Sequence, residues 1–468
     1  MGHVQVHRCA KLRPVCRQLS RGEEAMNAAD LRDWLAQLER SGEMWRHEGP
    51  FDLHYDVPHW LTQQDGLRAV RVDGAGPTGP VTLVGNTINS RRQLAAALGV
   101  EADALLQRYL TAIERPLPAA LVAVGEAPVL QQATSAPALE QLPAPHHHAG
   151  DSGPYLTAAV IIAKDEETGV HNWSIHRLQI NGAREMGILM LPRHLWHLYQ
   201  RAESQDRDLP VAVVIGLPPA YLLASQAITA FGVDESAIAG ALLGAPVPLV
   251  RSPRYGIDVP AVAEYLLEGR IVAHRRAQEG PFGEFPRTYG PRSEKPVVEI
   301  DAVSHRPDPI YQTILPASRE HMLLGAIPRE AALLRSTRHA SPNVEDVRLT
   351  FAGGCRYHAV VRMRPRMRGE AKNVILAALA GSNEVKRAVV VDDDIDIDSA
   401  EDVEWAIATR VQPERDLLVV PGALGSALDP SAEADGLTGK WGIDATVPVS
   451  ADRSRYECIT LPTRDRRG

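Results

Sequence analysis

The middle of the chain, residues 146–309, is dense in short strand-like segments and poor in long helical patterns. Strands at this density favour a β-barrel or a β-sandwich over a doubly wound parallel sheet. The predicted strands are 156–163, 172–180, 186–191, 211–215, 247–250, 270–273 and 297–302.

The segment before this region predicts a small α/β unit. Apolar residues with helical spacing mark an amphipathic helix, and Asn27 is its candidate cap. A second helix is predicted from Ser90 to Gly99. The apolar residues of the first helix are Leu31, Trp34, Leu35 and Leu38.

A nominal dinucleotide fingerprint, Gly-x-Gly-x-x-Gly, occurs at Gly74, Gly76 and Gly79. It follows a strand-like run, 67–72, but leads into a second such run, 81–85, and not into a helix. A phosphate-binding loop needs the helix, because the N-terminus of that helix holds the phosphate. The pattern therefore predicts a β-hairpin.

From about residue 312 onward, helical and strand patterns alternate, which is typical of an α/β domain. The predicted fold class is thus α/β plus β. We divide the chain into residues 1–25, a disordered extension that precedes the candidate start Met26; 26–115, an N-terminal α/β unit; 116–310, the strand-rich middle region; 311–450, a C-terminal α/β domain; and 451–468, a tail. The predicted C-terminal elements are helices 328–334, 371–379 and 399–410 and strands 347–352 and 387–391.

Composition excludes several classes of protein. The net charge of −8 over 468 residues argues against a nucleic-acid binder that neutralises phosphates. No apolar run approaches the roughly 18 residues that span a bilayer, so no membrane association is expected. The four cysteines have no metal-binding spacing, which favours a reducing, cytoplasmic location.

The sequence Glu-Gly-Pro-Phe-Gly-Glu, from Glu279 to Glu284, is the strongest candidate for chemistry. The glycines and the proline turn the backbone, so the two carboxylates can converge. Convergent carboxylates repel, which raises the pKa of one and leaves the other ionised, as general acid/base chemistry requires. The alternative is a solvated surface turn.

Two other segments accompany this turn, Asn172-Trp-Ser-Ile-His-Arg177-Leu-Gln and Gly232-Val-Asp-Glu235-Ser-Ala-Ile-Ala-Gly240. Together the three motifs, over residues 150–446, resemble the UbiD family of decarboxylases, which use prenylated FMN. The resemblance implies that 116–310 form a split β-barrel that binds flavin. It also implies a flavin prenyltransferase as cofactor supplier and a homodimer or homohexamer built through the C-terminal domain.

By this resemblance, Arg177, Glu279 and Glu284 match the catalytic triad of the family. Arg177 is always charged and can hold one carboxylate ionised. Glu284 is expected to lie deeper, among apolar neighbours that favour its acid form, and to donate the proton. These neighbours are Phe282, Phe285 and Pro286.

The resemblance further implies that manganese, bound by Asn172, His194 and Glu235, anchors the cofactor phosphate. An amide oxygen, an imidazole and a carboxylate suit such an ion. His197 is an alternative to His194, and Ser225 is a potassium contact in a loop that departs from the family pattern. The implied cofactor-binding residues are Asn172, Ser174, Ile175, His176, Arg177, Arg193, His194 and Glu235.

Three further clusters leave alternatives open. The histidines at 146–148 could bind a metal or form a pocket edge, and the aspartates within 392–398 could bind calcium or be a solvated strand end that caps the next helix. Arg287, Arg292 and His321 could recognise a second substrate carboxylate or be surface charges.

The sequence therefore predicts a reversible, non-oxidative decarboxylase of an aromatic or heteroaromatic acid. The segment 312–325, with 328–330, looks most like family branches that handle furan or pyrrole carboxylates. A phenolic-acid or ubiquinone-pathway substrate is the alternative within the family. Outside this activity, the alternatives are a non-catalytic flavin- or metal-binding subunit and an ordinary FMN oxidoreductase.

Overall fold

The computed structural model describes residues 28–76 and 79–459. This part of the chain divides into two compact units at the boundary between Pro328 and Arg329, and each is described by itself. Asn27 and the extension 1–25 lie outside the described residues, as does the end of the tail from residue 460. Within the described ranges, no helix is both long and apolar enough to cross a membrane.

The first unit opens with an α/β segment. Helix α1 is capped by the carboxylate of Asp30, which accepts a hydrogen bond from Asp33 N–H, and it buries the four apolar residues predicted from their spacing. Ser90 caps α3, as predicted. The elements are α1 (Leu31–Arg40), β1 (Met44–Glu48), α2 (Asp56–Gln64), β2 (Ala69–Gly76), β3 (Gly79–Gly85), α3 (Arg91–Ala97) and α4 (Leu105–Glu114).

The predicted hairpin is confirmed. Strands β2 and β3 pair antiparallel, with Gly76 opposite Gly79, so the glycine motif leads into a strand and not directly into a helix. A late strand of the same unit, residues Ile310–Gln312, pairs parallel with β3 and completes a four-stranded sheet.

The rest of the first unit contains a nine-stranded, largely antiparallel sheet, whose main strand order is β6-β9-β10-β17-β14-β11-β7-β8 with β5 against β17. Its helices are α5 (His194–Glu203), α6 (Pro219–Ala224) and α7 (Glu235–Leu243). The strands are β4 (Ala120–Leu121), β5 (Gln132–Thr134), β6 (Tyr155–Leu156), β7 (Val160–Lys164), β8 (His171–Ile175), β9 (Leu178–Ile180), β10 (Glu185–Ile188), β11 (Leu209–Ile215), β12 (Pro248–Arg251), β13 (Asp258–Pro260), β14 (Tyr265–Glu279), β15 (Phe282–Gly283), β16 (Tyr289–Gly290), β17 (Ser293–His305) and β18 (Ile310–Gln312).

The expectation of uniformly short strands was wrong for the two central ones. Strand β14 has 15 residues and β17 has 13, and they pair with each other along most of their length. The charged run His274-Arg-Arg276 obscured the continuity of β14, because it falls where the register of the pair shifts. Such an irregularity interrupts the alternation of apolar and polar residues by which strands are recognised.

The second unit alternates strands and helices, as predicted. Its five-stranded sheet has the order β19-β20-β21-β23-β22. Helix α8 contributes its residues from Arg329 onward to this unit; it begins at Arg319 and not at the predicted start, Pro328, since the turns before Pro328 bury Leu323, Leu324 and Ile327. The elements are α8 (Arg319–Ala340), β19 (Val344–Leu349), β20 (His358–Met363), α9 (Glu370–Ala380), β21 (Arg387–Val391), α10 (Ala400–Arg410), α11 (Pro413–Asp416), β22 (Leu417–Leu424) and β23 (Leu437–Ala445).

The aspartate run after β21 is not simply a solvated strand end. The side chain of Asp392 is fully buried and accepts a hydrogen bond of 2.8 Å from the equally buried Arg410. It also accepts from Val447 N–H at 2.6 Å and pairs with Arg453. The cap of α10 is Ser399, whose hydroxyl accepts from Asp402 N–H.

This buried pair generates a stability prediction. We expect Arg410→Met to lower the free energy of unfolding by about 3 kcal/mol, because it leaves the Asp392 charge buried with weaker compensation. Urea unfolding of the full chain measures the loss. The control is Arg364→Met, which breaks an exposed pair with Asp393 and should cost at most about 0.5 kcal/mol. Equal losses in the two variants would contradict the prediction.

Candidate active site

Arg177 lies in a break between two strands. The sequence predicted one strand over 172–180, but β8 ends at Ile175 and β9 begins at Leu178. His176 explains part of the break, since its Nδ1 bonds to the carbonyl oxygen of Leu189 at 2.9 Å. This bond takes the place of a ladder hydrogen bond beyond the last paired residues of β9 and β10, Leu178 and Ile188.

One guanidinium binds both carboxylates of the Glu279–Glu284 turn. Arg177 holds Glu279 through two parallel hydrogen bonds, Nε to Oε1 at 2.9 Å and Nη2 to Oε2 at 2.8 Å. Its Nη1 also donates to Oε1 of Glu284. The guanidinium carbon lies 4.8 Å from the ring centre of Phe282. Arg177, Glu279 and Glu284, which the family resemblance grouped as a triad, thus form one cluster.

The relative depth of the two carboxylates differs from the prediction. The side chain of Glu279 is fully buried, whereas that of Glu284 is 12% exposed. Glu279 is the last residue of the central strand β14 and packs against Gly187, where a β-carbon would lie 3.2 Å from its Cγ. Glu284 follows the two-residue strand β15 and keeps a path to solvent, which a proton donor needs for reprotonation.

Burial nevertheless favours the acid form of Glu284. Desolvation raises the pKa of Glu284, and Arg177 opposes this rise. The negative charges of Glu279 and Asp151 raise the pKa further. The arrangement therefore places a carboxyl group with a raised pKa beside a permanently charged guanidinium.

Asn172 and Glu235, which belong to two different sequence motifs, contact each other. Glu235 is the first residue of α7, and its side chain accepts from Asn172 Nδ2 at 3.1 Å and from Trp173 N–H at 2.8 Å. Burial raises the pKa of Glu235 to about 8. A buried carboxyl held only by neutral donors would be stabilised in its ionised form by a cation, so these residues fit a metal ion.

The geometry favours His194 over His197 as a third ligand. His194 Nδ1 lies 4.0 Å from Oε1 of Glu235, too far for a hydrogen bond. His197 is exposed, on the next turn of the same helix. Burial lowers the pKa of His194, which favours the neutral imidazole that binds metals.

The oxygen of Asn172 is also available to a cation. Burial lowers the pKa of His176 to about 4, so its imidazole is neutral. Because Nδ1 bonds to a carbonyl oxygen, it must carry the proton, and Nε2 accepts from Ser174 Oγ at 3.0 Å. Ser174 then donates its single hydroxyl proton to His176. Asn172 Oδ1, 3.4 Å from Ser174 Oγ, therefore does not accept that proton.

The remaining candidates are placed as follows. Ser225 follows α6, is buried, and donates to the carbonyl oxygen of Leu222 at 2.8 Å. Arg287 and Arg292 are exposed, whereas His321 is half-buried and its Nδ1 accepts from Ala317 N–H at 3.0 Å. In residues 28–76 and 79–459, no group of three or more His, Cys, Asp and Glu side chains is arranged to hold a metal. The histidine and aspartate tracts are therefore not metal sites of that kind.

Two residues of this cluster were missed in the sequence. Asp151 accepts from Gly283 N–H at 2.7 Å, and Gln179 accepts from Gly280 N–H at 3.0 Å. Asp151 belongs to the segment 146–155, whose histidines the sequence indicated as a metal tract or a pocket edge, and Gln179 is the last residue of the motif that carries Arg177. The sequence assigned neither residue a role, because each acts on the backbone of a distant segment.

Comparison with known proteins identifies the family. Residues 120–319 match the 3-octaprenyl-4-hydroxybenzoate carboxy-lyase Rift-related domain, and residues 322–445 match the C-terminal domain of the same family. A curated relative, anhydromevalonate phosphate decarboxylase of Methanothermobacter thermautotrophicus, is 39% identical over 371 residues, which cover 79% of this chain and 86% of that protein.

Two solved structures are also similar. One is the UbiD-class enzyme HmfF from Pelotomaculum thermopropionicum in complex with FMN, with 47% identity, a TM-score of 0.90, and coverage of 92% of this chain and 97% of that one. The other is an evolved dimeric form of that enzyme in complex with prFMN, with 45% identity, a TM-score of 0.86, and coverage of 93% and 97%. The mixed α/β fold is shared with these enzymes. The resemblance read from the three motifs is thus confirmed, and this chain belongs to the UbiD family and is a carboxy-lyase.

Proposed function

We propose that this enzyme reversibly and non-oxidatively decarboxylates an aromatic or heteroaromatic acid of the furan or pyrrole class, with prenylated FMN as cofactor. The observation that carries the proposal is the buried cluster in which Arg177 binds both Glu279 and Glu284. The two HmfF structures, which contain FMN and prFMN, support the choice of cofactor.

The side chains of the cluster have separate roles in this proposal. Arg177 fixes Glu279 through its two parallel hydrogen bonds and keeps the pair oriented. Glu284, whose acid form is favoured by burial, donates the proton to the carbon that carbon dioxide has left. Because its side chain is 12% exposed, Glu284 can then recover a proton from solvent.

Loss of carbon dioxide from an aromatic ring needs an electron sink that ordinary side chains lack, and prenylated FMN would supply it when bound. Asn172, His194 and Glu235 would hold manganese at the cofactor phosphate. Ser225 would contribute to a potassium site, since its hydroxyl proton is used by Leu222 and its lone pairs remain. The proposed cofactor-binding residues are Asn172, Ser174, Ile175, His176, Arg177, Arg193, His194 and Glu235.

We extend the proposal to the architecture. The nine-stranded sheet would be the split β-barrel that binds flavin within residues 116–310, and residues 311–450 would build a homodimer or homohexamer. A flavin prenyltransferase would supply the cofactor in the cytoplasm. The division of the chain at 25, 115, 310 and 450 stays a prediction.

A second substrate class is favoured by a specific observation. The Methanothermobacter relative, 39% identical to this chain, is named for anhydromevalonate phosphate, an acid that is not aromatic. The furan and pyrrole choice rests instead on the segment 312–325, with 328–330, which looks most like the family branches that handle those acids. A phenolic or ubiquinone-pathway acid is the third candidate.

The first experiment identifies cofactor and substrate together. Protein co-expressed with a flavin prenyltransferase should release prenylated FMN, detected by mass spectrometry, and should form carbon dioxide from furan or pyrrole carboxylates. Formation of carbon dioxide only from anhydromevalonate phosphate, or only from phenolic acids, would assign that acid as the substrate class instead. Unmodified FMN with nicotinamide-dependent turnover would instead favour an oxidoreductase.

Glu284→Gln tests the proton donor. We expect it to bind the cofactor normally but to lose at least about 100-fold in kcat, because general acid catalysis contributes roughly that much or more. In the unaltered enzyme, kcat should fall as the pH rises through the raised pKa of Glu284, since the acid form is then lost. Unchanged turnover in Glu284→Gln would remove this role.

Paired histidine variants test the metal site. We expect His194→Ala to lose manganese, measured per protomer by elemental analysis, whereas His197→Ala, one helical turn away and exposed, should retain it. Asn172→Ala and Glu235→Ala should lose manganese and flavin together. Full loading of all three ligand variants would show that the ion binds elsewhere.

A further inference from the structure

The Glu279–Glu284 turn is held by more than Arg177. Two of its backbone N–H groups donate to side chains of other segments. Gly280 N–H, directly after Glu279, donates to Gln179 Oε1 at 3.0 Å, and Gly283 N–H, directly before Glu284, donates to Asp151 Oδ1 at 2.7 Å. Each end of the turn is therefore fixed next to the carboxylate that it carries.

Asp151 is built into this position. Its side chain is fully buried, and Oδ2 accepts from His148 N–H at 2.9 Å. The His148 ring packs on the turn at Gly283, where a β-carbon would lie 2.6 Å from the ring nitrogen Nδ1. Burial alone would favour the neutral acid, but the hydrogen bonds from His148 and Gly283 outweigh it and lower the pKa of Asp151.

Gln179 supports the other end through a second contact. Its Oε1 also accepts from the hydroxyl of Tyr155 at 3.1 Å. The Tyr155 ring lies 4.3 Å from the ring of Phe282, and Phe282 lies beneath the Arg177 guanidinium. The amide oxygen of Gln179 thus holds the turn at Gly280 directly, and it holds Tyr155, which packs against the Phe282 ring beneath Arg177.

We propose that Asp151 and Gln179 are positioning residues of this enzyme, which fix the turn so that Glu284 stays against Arg177 and aligned for proton transfer. Asp151 has a second, electrostatic effect, because its charge favours the acid form of Glu284. This inference rests on the function proposed above, since it takes Glu284 as the proton donor.

Several charged groups surround Glu284, and the test must separate them. Arg177 faces it from the β8–β9 break, Glu279 from the end of β14, and Asp151 from the loop before β6. The exposed side chains of Arg287 and of Tyr289 in β16 follow the turn, and half-buried His148 lies beside Asp151. Changing Asp151 alone leaves all of these other groups in place.

The decisive variant is Asp151→Asn in the cofactor-loaded enzyme. Asparagine keeps an acceptor for Gly283 N–H but loses the one for His148 N–H and removes the charge, so the alkaline limb of the kcat profile should move to lower pH, with KM and flavin content unchanged. Asp151→Ala also removes the acceptor and should lower kcat roughly 10- to 100-fold, because small misplacements of a catalytic group cost about this much. Asparagine should restore most of that loss at low pH.

A matched control exists on β14 itself. Glu268 is also a buried carboxylate that accepts two backbone N–H groups, those of Arg254 and Tyr255. Glu268→Gln should leave the pH profile unchanged.

For Gln179, the variant Gln179→Met keeps the volume but removes the acceptor, and kcat should fall with KM unchanged. Its control is Gln93→Met, which removes a buried amide that accepts from Asn89 N–H.

A measurement without turnover separates this inference from the proposed function. In cofactor-free protein, the infrared band of the protonated Glu284 carboxyl, assigned by its loss in Glu284→Gln, should titrate at lower pH in Asp151→Asn. An active enzyme whose kcat profile and infrared titration are both unmoved by Asp151→Asn would overturn the electrostatic effect, and unchanged kcat in both Asp151→Ala and Gln179→Met would overturn the positioning role; both results leave the function intact. A shifted band in a chain that decarboxylates none of the acids tested would support the electrostatic effect and count against the function.

Discussion

Everything at the candidate site depends on one buried guanidinium that faces two carboxylates. Two carboxyl groups this close repel each other, and burial adds the cost of desolvation to that repulsion. Arg177 compensates by binding Glu279 in a bidentate pair and contacting Glu284 with its remaining nitrogen. One positive charge cannot fully neutralise two negative ones, so the pKa of Glu284, which makes a single contact with Arg177, is raised by its burial and by the neighbouring carboxylates.

The fold serves this interaction by delivering three chain segments to one place. The break between β8 and β9 turns Arg177 inward, and the end of the long strand β14 carries Glu279. Close approach depends on glycines, since Gly187 makes room for Glu279 and Gly283 makes room for His148. Strand β8 also carries Asn172 and leads into Arg177, so one segment connects the proposed cation site to the acid/base cluster.

How much of this could be predicted from the sequence varies with the kind of contact. Arg177, Glu279 and Glu284 were identified because motifs of a known family carry them, and the physical pairing agrees. The relative depth of the two glutamates was predicted wrongly from the aromatic neighbours of Glu284. Depth depends on where the ends of β14 and β15 lie in the sheet, and local composition does not contain that information.

Asp151 and Gln179 illustrate the same limit. Each satisfies a backbone N–H of a segment more than 100 residues away, and a backbone group has no identity that a sequence pattern could match. The choice between His194 and His197 likewise required the direction in which α5 faces Glu235.

The sequence by itself determined the family, the alternation of strands and helices, and the residue types available for chemistry, because these depend on local patterns and on motifs. Tertiary structure decided which carboxyl group is deeper, which histidine faces the buried glutamate, and which side chains hold the acid turn. These outcomes follow from burial and from distances across the sheet, which exist only once remote segments have packed together.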